Sequence, residues 1–286
     1  MRSVAPPTEE QINNAQRVVG EMLTPTPLVR GLKLETLQPT GSFKVRGGLA
    51  AVAAAPPGAR IVTVSAGNHG LGVAWAAARL GREATVVVPA TASRAKIARL
   101  REFDCELVLH GEDYDAAEAY ALALGGHFVS PYNDPDVIAG ARTLAVELGE
   151  QVGGPYTVAV PVGGGGLLSG IALYDQAHPI GVEVVASRGL SAARAGRPLR
   201  MDPTLADGMA GSVEPGSITV ELTRHVELVA VTEDGLRRAM RELLLDHGIL
   251  AEGSGAAAYA AGIPGAIAIV SGRNVVPKDF AQGQTP

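Results

Sequence analysis

Four short stretches of the chain carry side chains or bare amides that could do chemistry. In Pro39-Thr40-Gly41-Ser42-Phe43-Lys44-Val45-Arg46-Gly47, a lysine follows an aromatic residue at the start of a small-residue helix. Alone, Lys44 would be an ordinary solvated lysine. Phe43, Val45 and the many alanines around it would instead desolvate the amine, lower its pKa and suit it to Schiff-base chemistry. In Val158-Ala159-Val160-Pro161-Val162, a hydrophobic strand runs into Gly163, Gly164, Gly165 and Gly166, and then into a helix starting at Leu167. Bare amides ahead of a helix N-terminus form a cradle for a dianion such as a phosphate. A flexible linker is rare between a buried strand and a helix.

The kind of phosphate can be narrowed. No Gly-Lys-Ser/Thr is present, so this is not a Walker loop. The spacing G-x-G-x-x-G fails as well, because Leu168 or Ser169 stands where the third glycine belongs. Glu183 lies 20 residues past Gly163, near the place of a ribose-binding acid, so a nicotinamide site is disfavoured rather than eliminated. The third stretch, Ile61-Val62-Thr63-Val64-Ser65-Ala66-Gly67-Asn68-His69-Gly70, ends a strand in a polar turn. Such a turn suits a small anion such as a carboxylate, although by itself it is only a strand–turn–helix connection. The fourth, Ile269-Val270-Ser271-Gly272-Arg273-Asn274, presents a hydroxyl at a strand end. A reactive lysine, a phosphate cradle, a carboxylate turn and a strand-end hydroxyl together are what pyridoxal phosphate bound to an amino acid requires.

The elements that must position these residues follow from pattern and composition. A chain of 286 residues corresponds to about two domains. With 47% hydrophobic residues but only 11 aromatic ones, the core must be built from Ala, Val, Leu and Ile, as in a parallel sheet covered by small-residue helices. Lys and Arg number 24 against 29 Asp and Glu, for a net charge of −5. With no dense basic block, nucleic-acid binding is excluded; Arg188 to Arg200 is diluted by Ala, Gly and Pro and reads as a solvated loop. The single cysteine, Cys105, permits no internal disulfide and reads as an inert packed thiol in a reducing compartment. No apolar run reaches the roughly 18 residues of a membrane span, and no signal-peptide core is present, so a soluble cytoplasmic protein is expected.

Thr8-Glu9-Glu10-Gln11 has capping-box spacing and predicts a helix to about Leu23. From Arg60, β-rich and Ala-rich runs alternate. Strands are predicted at 61–64, 84–88 and 106–109, with helices at 70–80, 94–101 and 114–124. After a Pro/Asn/Asp loop the pattern resumes, with helices at 136–150, 167–176 and 233–247 and strands at 156–160, 182–186, 228–231 and 266–270. Between Ser187 and Thr223 the signal is weak and loop-like. The order predicts an open α/β protein with two sheet-bearing lobes, a ligand lying at the carboxyl ends of the strands or between the lobes.

With those residues assembled, the chain resembles the threonine dehydratase and serine racemase family of pyridoxal-phosphate enzymes, which have the tryptophan synthase β-like fold (fold type II). The likeness runs through Thr26-Pro27-Leu28, Gln38 to Lys44, Ser65 to Gly70, Tyr132-Asn133-Asp134-Pro135, Pro161 to Gly166, Gly181-Val182-Glu183, Ala206-Asp207-Gly208 and Ser271-Gly272. It implies two open, twisted, largely parallel sheets with helices on both faces and pyridoxal phosphate in the cleft between the lobes. A large cofactor-binding domain is expected from residues 1–49 and 131–286, and a small domain carrying the carboxylate loop from 50–130.

By that resemblance Lys44 holds the cofactor covalently and then acts as the base on Cα. Phe43 packs on the ring, Gly163, Gly164, Gly165, Gly166 and Leu167 hold the phosphate, and Ser271 bonds the pyridine nitrogen. Ser65, Ala66, Asn68 and His69 form the substrate-carboxylate loop, with Asn68 also reaching the ring hydroxyl. A serine opposite the ring nitrogen cannot stabilise a pyridinium as a carboxylate would, which favours loss of a β-hydroxyl. The expected activity is dehydration of L-threonine or L-serine to a 2-oxo acid and ammonia by a homodimer. Alternatives are a 3-hydroxyaspartate dehydratase, with His69, Arg142 and Arg188 as the candidate cations, a serine racemase, or a catalytically silent binding protein.

Three departures from the family pattern bear on this. Ala66 stands where serine racemases carry a serine acid/base, so little racemisation is expected. Glu183 lacks the following carboxylate of the family's divalent-metal site, so no metal is expected. Arg273 replaces a usual glycine beside Ser271 and would disfavour ring protonation if it pointed inward.

Overall fold

The computed structural model describes residues 4–275. Helix α1 (Glu9–Met22) opens on the expected capping box: Thr8 Oγ1 accepts from the Gln11 amide, and the Gln11 side chain accepts from the Thr8 amide at 3.0 Å. Two short strands, β1 (Leu28–Val29) and β2 (Leu32–Leu34), and a 3₁₀ turn (Glu35–Leu37) lead to α2 (Lys44–Ala54). Helix α2 runs unbroken across residues 49 and 50. There follow β3 (Ile61–Val64), α3 (Asn68–Arg79), β4 (Ala84–Val88), α4 (Arg94–Leu100), β5 (Glu106–Leu109), α5 (Tyr114–Ala123) and β6 (His127–Phe128). The remainder comprises α6 (Pro135–Val152), β7 (Tyr156–Pro161), α7 (Gly166–Ala172), β8 (Ala177–Val184), α8 (Gly189–Arg194), α9 (Ile218–Leu222), β9 (Glu227–Val231), α10 (Glu233–Leu245), α11 (Gly253–Ala260) and β10 (Ile267–Val270).

Two sheets result. Strands β5-β4-β3-β6 form a four-stranded, wholly parallel sheet. The other sheet has the order β1-β2-β10-β7-β8-β9, parallel except for the β1–β2 hairpin. The architecture is the expected pair of largely parallel sheets flanked by helices. In the larger sheet, strand alternation sends Ala159, Ala268 and Val270 into the layer of α10 and α11. Val158, Val160 and Ile269 point the other way, against Leu144, Leu148, Leu168 and Ile171 of α6 and α7. Both faces are covered, which is why these strands read as continuous apolar runs.

The elements depart from sequence expectation where local chemistry misleads. Helix α7 ends at Ala172 rather than Gln176, because the chain turns at once: the Tyr174 and Ala177 amides donate to Ile171 and Tyr174 carbonyls. Strand β8 starts at Ala177 and ends at Val184, not 182–186. Its first half contains Pro179 and Gly181, which disguise it. Pro179 is tolerated because pairing with β9 begins only at Ile180. The loop-like stretch 187–223 holds α8 and α9, of 6 and 5 residues, too short to display a period. The sequence pattern does not predict helix α11, since Gly253 and Gly255 open it. Both are needed, because a Cβ on either would stand 2.3 Å from the Leu205 carbonyl oxygen or 2.1 Å from that of Gly272.

A buried ionic cluster ties the N-terminal segment to α2 and α6. Arg46 Nε and Nη2 make a fork to Glu35 Oε2 and Oε1, each at 2.8 Å, and Nη2 also reaches Glu147 Oε2 at 2.7 Å. Lys33 pairs with Glu147 Oε1, and Thr26 Oγ1 donates to Glu35 Oε1 at 2.6 Å. Lys33, Glu35 and Arg46 are buried completely or nearly so. Two cations and two carboxylates cancel, and the cluster lies within one helical turn of Lys44.

Candidate active site

The segment Val129–Tyr132, just after β6, is the hub of the site. Lys44 begins α2 and sends Nζ to the Pro131 carbonyl oxygen at 2.6 Å, with the Phe43 ring 5.3 Å from the amine. Burial is the cause that pulls the Lys44 pKa down from 10.5 to about 8. The next residue, Tyr132, packs on the glycine turn: a Cβ on Gly164 would lie 2.3 Å from its ring, and one on Gly166 would lie 3.0 Å from its Cα. Gly165 has φ +89°, a left-handed conformation natural to glycine. Among the described residues, no protein acceptor takes the amides of Gly163, Gly164 or Gly165, and α7 opens without a side-chain cap. The turn therefore presents bare amides next to the lysine-bearing segment.

The strand-end serine joins the same place from the other sheet. The Phe43 amide donates to the Ser271 carbonyl at 3.0 Å, and Ser42 bridges to Gly272. Ser271 is buried, its hydroxyl donating only a long 3.4 Å bond to the Ser254 carbonyl. Buried hydroxyls of Ser42, Ser169 and Ser254 have no partner at all among the described residues. Unsatisfied groups of this kind are rare in a protein interior, and each calls for a partner that the described residues do not supply.

Helix α3 brings the third stretch. It crosses α2 with almost no separation, a Cβ on Gly72 lying 2.8 Å from the Lys44 carbonyl oxygen. Ser65 caps the turn by accepting from the Gly67 amide at 3.1 Å, and Ser65 and Ala66 are half-buried. Asn68 donates from Nδ2 to Glu252 Oε1 at 2.6 Å and accepts at Oδ1 from Asn274 Nδ2 at 2.5 Å. His69 turns inward, with Nε2 at 3.2 Å from the Val129 carbonyl and Nδ1 buried without a partner among the described residues. Burial first, and then the nearby Lys44, push its pKa down to about 3, so the imidazole is neutral.

Lys44, Phe43, Ser271, Asn68, His69 and the Gly163–Gly166 turn thus converge around one point. The other predicted cations do not. Arg142 spends its guanidinium on the Leu173 carbonyl and the face of the Tyr174 ring, and Arg188 is half-exposed beside Glu183. Arg273 faces solvent. Glu183 is fully buried, its oxygens taken by the Ser191 amide and hydroxyl. Among the described residues no cluster of His, Cys, Asp or Glu is arranged to hold a metal, and no helix is long and apolar enough to cross a membrane. Cys105 is half-buried and its thiol is pushed up by burial.

Sequence reasoning missed Glu252, whose buried carboxylate adjoins Asn68 and Gly272. Burial raises its pKa to about 7. The only signal was Gly253-Ser254-Gly255 ahead of an Ala-rich run, a glycine cluster marking close backbone approach.

Comparison with known proteins adds an independent line. Residues 24–276 match the family described as pyridoxal-phosphate dependent enzyme. The chain is similar to L-threonine ammonia-lyase of Thermotoga maritima, with 39% identity over 89% of this chain and 70% of that protein. It is 35% identical to L-threonine dehydratase catabolic TdcB of Escherichia coli K12, over 85% of this chain and 82% of the relative. Its fold superposes on the crystal structure of the T.th. threonine deaminase with a TM-score of 0.85, at 34% identity and covering 94% and 99% of the two chains.

Proposed function

This chain belongs to the family of pyridoxal-phosphate dependent enzymes, and from that premise we propose that it is an ammonia-lyase removing the β-hydroxyl of L-threonine or L-serine. The observation that carries the reading is the meeting of the desolvated Lys44 amine and the bare amides of Gly163 to Gly165 on either side of Pro131-Tyr132. The names of the relatives supply the reaction class.

The residues fit the cofactor. A lysine amine with its pKa drawn toward neutrality attacks a carbonyl carbon readily, acceptor-free amides receive a phosphate, and unpartnered hydroxyls await polar atoms. When bound, pyridoxal phosphate supplies an electron-accepting ring conjugated to the amino nitrogen of the substrate. The chain's own residues do the rest. Lys44 carries the cofactor through Nζ and, once the substrate amine takes that place, removes the proton from Cα. Gly163, Gly164, Gly165, Gly166 and Leu167 hold the phosphate through backbone amides, while Phe43 packs on the ring. The Ser271 hydroxyl would be the partner of the pyridine nitrogen; being neutral, it would leave that nitrogen unprotonated and favour expulsion of the β-hydroxyl.

Ser65, Ala66, Asn68 and His69 bind the substrate carboxylate. His69 does so through its backbone, since its neutral imidazole is turned to Val129. We assign these last residues to a small domain of residues 50–130 built on the four-stranded sheet, and the cofactor to a domain of residues 1–49 and 131–286. A cytoplasmic homodimer acting on a free amino acid is the form that the family likeness supports.

The test is release of 2-oxo acid by the purified protein supplied with pyridoxal phosphate. The substrates are L- and D-serine, L- and D-threonine and the 3-hydroxyaspartates, each run beside Lys44→Ala, with chiral analysis of residual serine. Turnover of L-threonine or L-serine that vanishes in the variant is expected. Turnover by Lys44→Ala, or none on any substrate by the native protein, overturns the assignment.

A further inference from the structure

A single line of hydrogen bonds crosses the site from an arginine to a carboxylate. Arg99 Nη1 on α4 donates to Asn274 Oδ1 at 2.6 Å. Asn274 Nδ2 donates to Asn68 Oδ1 at 2.5 Å and to the Thr40 carbonyl at 2.8 Å. Asn68 Nδ2 donates to Glu252 Oε1 at 2.6 Å. A guanidinium can only donate, and the Glu252 carboxylate, ionised above its pKa of about 7, can then only accept. The two carboxamides between them could each be turned over, but the two ends permit only one arrangement. Asn274 must offer its oxygen to Arg99 and both N–H groups to Thr40 and Asn68. Asn68 must accept from Asn274 and give one N–H to Glu252. One N–H of Asn68 is left over.

The surroundings hold Glu252 in place for this. Its backbone amide donates to the Gly272 carbonyl at 3.0 Å, and the residue is buried. Its carboxylate occupies the space over Gly272 that any side chain there would take: a Cβ would stand 2.1 Å from Glu252 Oε1 and 3.2 Å from Asn68 Nδ2. Gly272 follows Ser271, so the Glu252 carboxylate lies one residue along the chain from the serine assigned to the ring nitrogen. The relay also passes three times between parts of the chain, since Arg99 and Asn68 come from segments of the four-stranded sheet and Asn274 and Glu252 from those of the larger one.

We propose that Glu252 and Arg99 are positioning residues whose opposed hydrogen-bonding characters lock Asn68 as a donor to the oxygen on the cofactor ring. This rests on the cofactor reading above. Removing the acceptor at Glu252 leaves the Asn68 amide held from one side only, by Asn274, so its N–H is no longer fixed on that oxygen.

The two absorption bands of the bound cofactor report whether the ring oxygen carries a proton, so they read Asn68 directly. In the cofactor-loaded protein, Glu252→Leu should shift the ratio of visible to near-ultraviolet bands about fivefold or more toward the protonated form, the size of one lost hydrogen bond. Glu252→Gln, which can still accept from Asn68, should restore most of the native ratio. In an Asn68→Ala background, Glu252→Leu should add nothing. Arg99→Met, a half-buried helix position, tests the relay from its far end and should give a smaller shift in the same direction. Native spectra in both Glu252→Leu and Arg99→Met, or an undiminished effect of Glu252→Leu without Asn68, overturn the proposal. If borohydride fails to trap cofactor on Lys44 of the native protein, the cofactor reading falls and this proposal with it. A trapped lysine with unmoved bands overturns the relay alone.

Discussion

Lys44 Nζ meets the Pro131 carbonyl oxygen at 2.6 Å, and no ion pair among the described residues includes it. An amine held by a neutral acceptor is solvated just enough to be kept in place, and it is not committed to the charged form. A carboxylate partner would have raised its pKa and blunted it as a nucleophile.

The consequence for the cofactor-free protein is pH-dependent. The folded-state pKa of about 8 lies below the ordinary 10.5. Between those values the unfolded chain binds more protons at this site than the folded one, so this group's contribution to stability rises with pH across that window and is least favourable below pH 8. Lys44→Met should therefore stabilise the apoprotein at pH 7 by on the order of 1–2 kcal/mol after partial exposure is allowed for, read as a raised melting temperature. The advantage should shrink as pH approaches 10. An equal advantage at pH 7 and pH 10 would assign the gain to packing instead.

Gly164 and Tyr132 cannot both keep their places if glycine is enlarged. Gly164→Ala should force the ring away from the turn, costing about 1–3 kcal/mol of stability. It should also weaken cofactor affinity at least about tenfold, since a loss of about 1.4 kcal/mol is tenfold. Equilibrium dialysis against pyridoxal phosphate and denaturant titration read the two effects separately. Unchanged affinity would detach the turn from the phosphate.

The Lys33–Glu35–Arg46–Glu147 cluster should behave as a unit. Arg46→Met strands Glu35 in the interior and should cost about 3–5 kcal/mol in denaturant unfolding. Burial opposes the charge on Glu35, but Arg46 and the hydrogen bond from Thr26 hold its pKa below the ordinary 4.5. Its stabilising contribution is thus complete above pH 4.5 and lost as pH falls through the lowered value. The native protein should show this loss of stability in acid, and Arg46→Met should show less of it.

None of the cations proposed for a second substrate carboxylate is available at the site. His69 is neutral, Arg142 is bound to Leu173 and Tyr174, and Arg188 sits beside Glu183. Burying an unpaired carboxylate is costly, so kcat/KM for the 3-hydroxyaspartates should fall at least about 100-fold below that for L-threonine or L-serine. Comparable values would require a cation recruited from elsewhere.

Much of this was legible in the residues because the signals were local. Ile61–Val64, Ala84–Val88 and Glu106–Leu109 are β-rich runs bounded by turn formers, and the strands fall on those residues. The Gly163–Gly166 run and the Ser65–His69 turn announce themselves by glycines and polar groups at strand ends. What was hidden depends on contacts between distant segments. Glu252 looks like any surface glutamate until Gly253 and Gly255 let α11 drop against Leu205 and Gly272. Lys33, Glu35, Arg46 and Glu147 give no local signal of burial, because their cancellation is visible only once α2 and α6 are packed. The imidazole of His69 is likewise turned inward by Val129, 60 residues away.

The parallel pairing of Leu32–Leu34 with Ala268–Val270 has a consequence for the order in which the molecule can be made. On the ribosome the four-stranded sheet has all its strands by Phe128 and can close while synthesis continues. The larger sheet must wait: β2 emerges among the first elements, yet its neighbour β10 is the last of the described strands to leave the exit tunnel. Until then β2 and β7 offer open edges, the kind of surface that neighbouring nascent chains adhere to. Translation that stalls before Ile267 would thus yield a finished small sheet attached to an unclosed large one, a natural client for chaperones rather than a smaller enzyme.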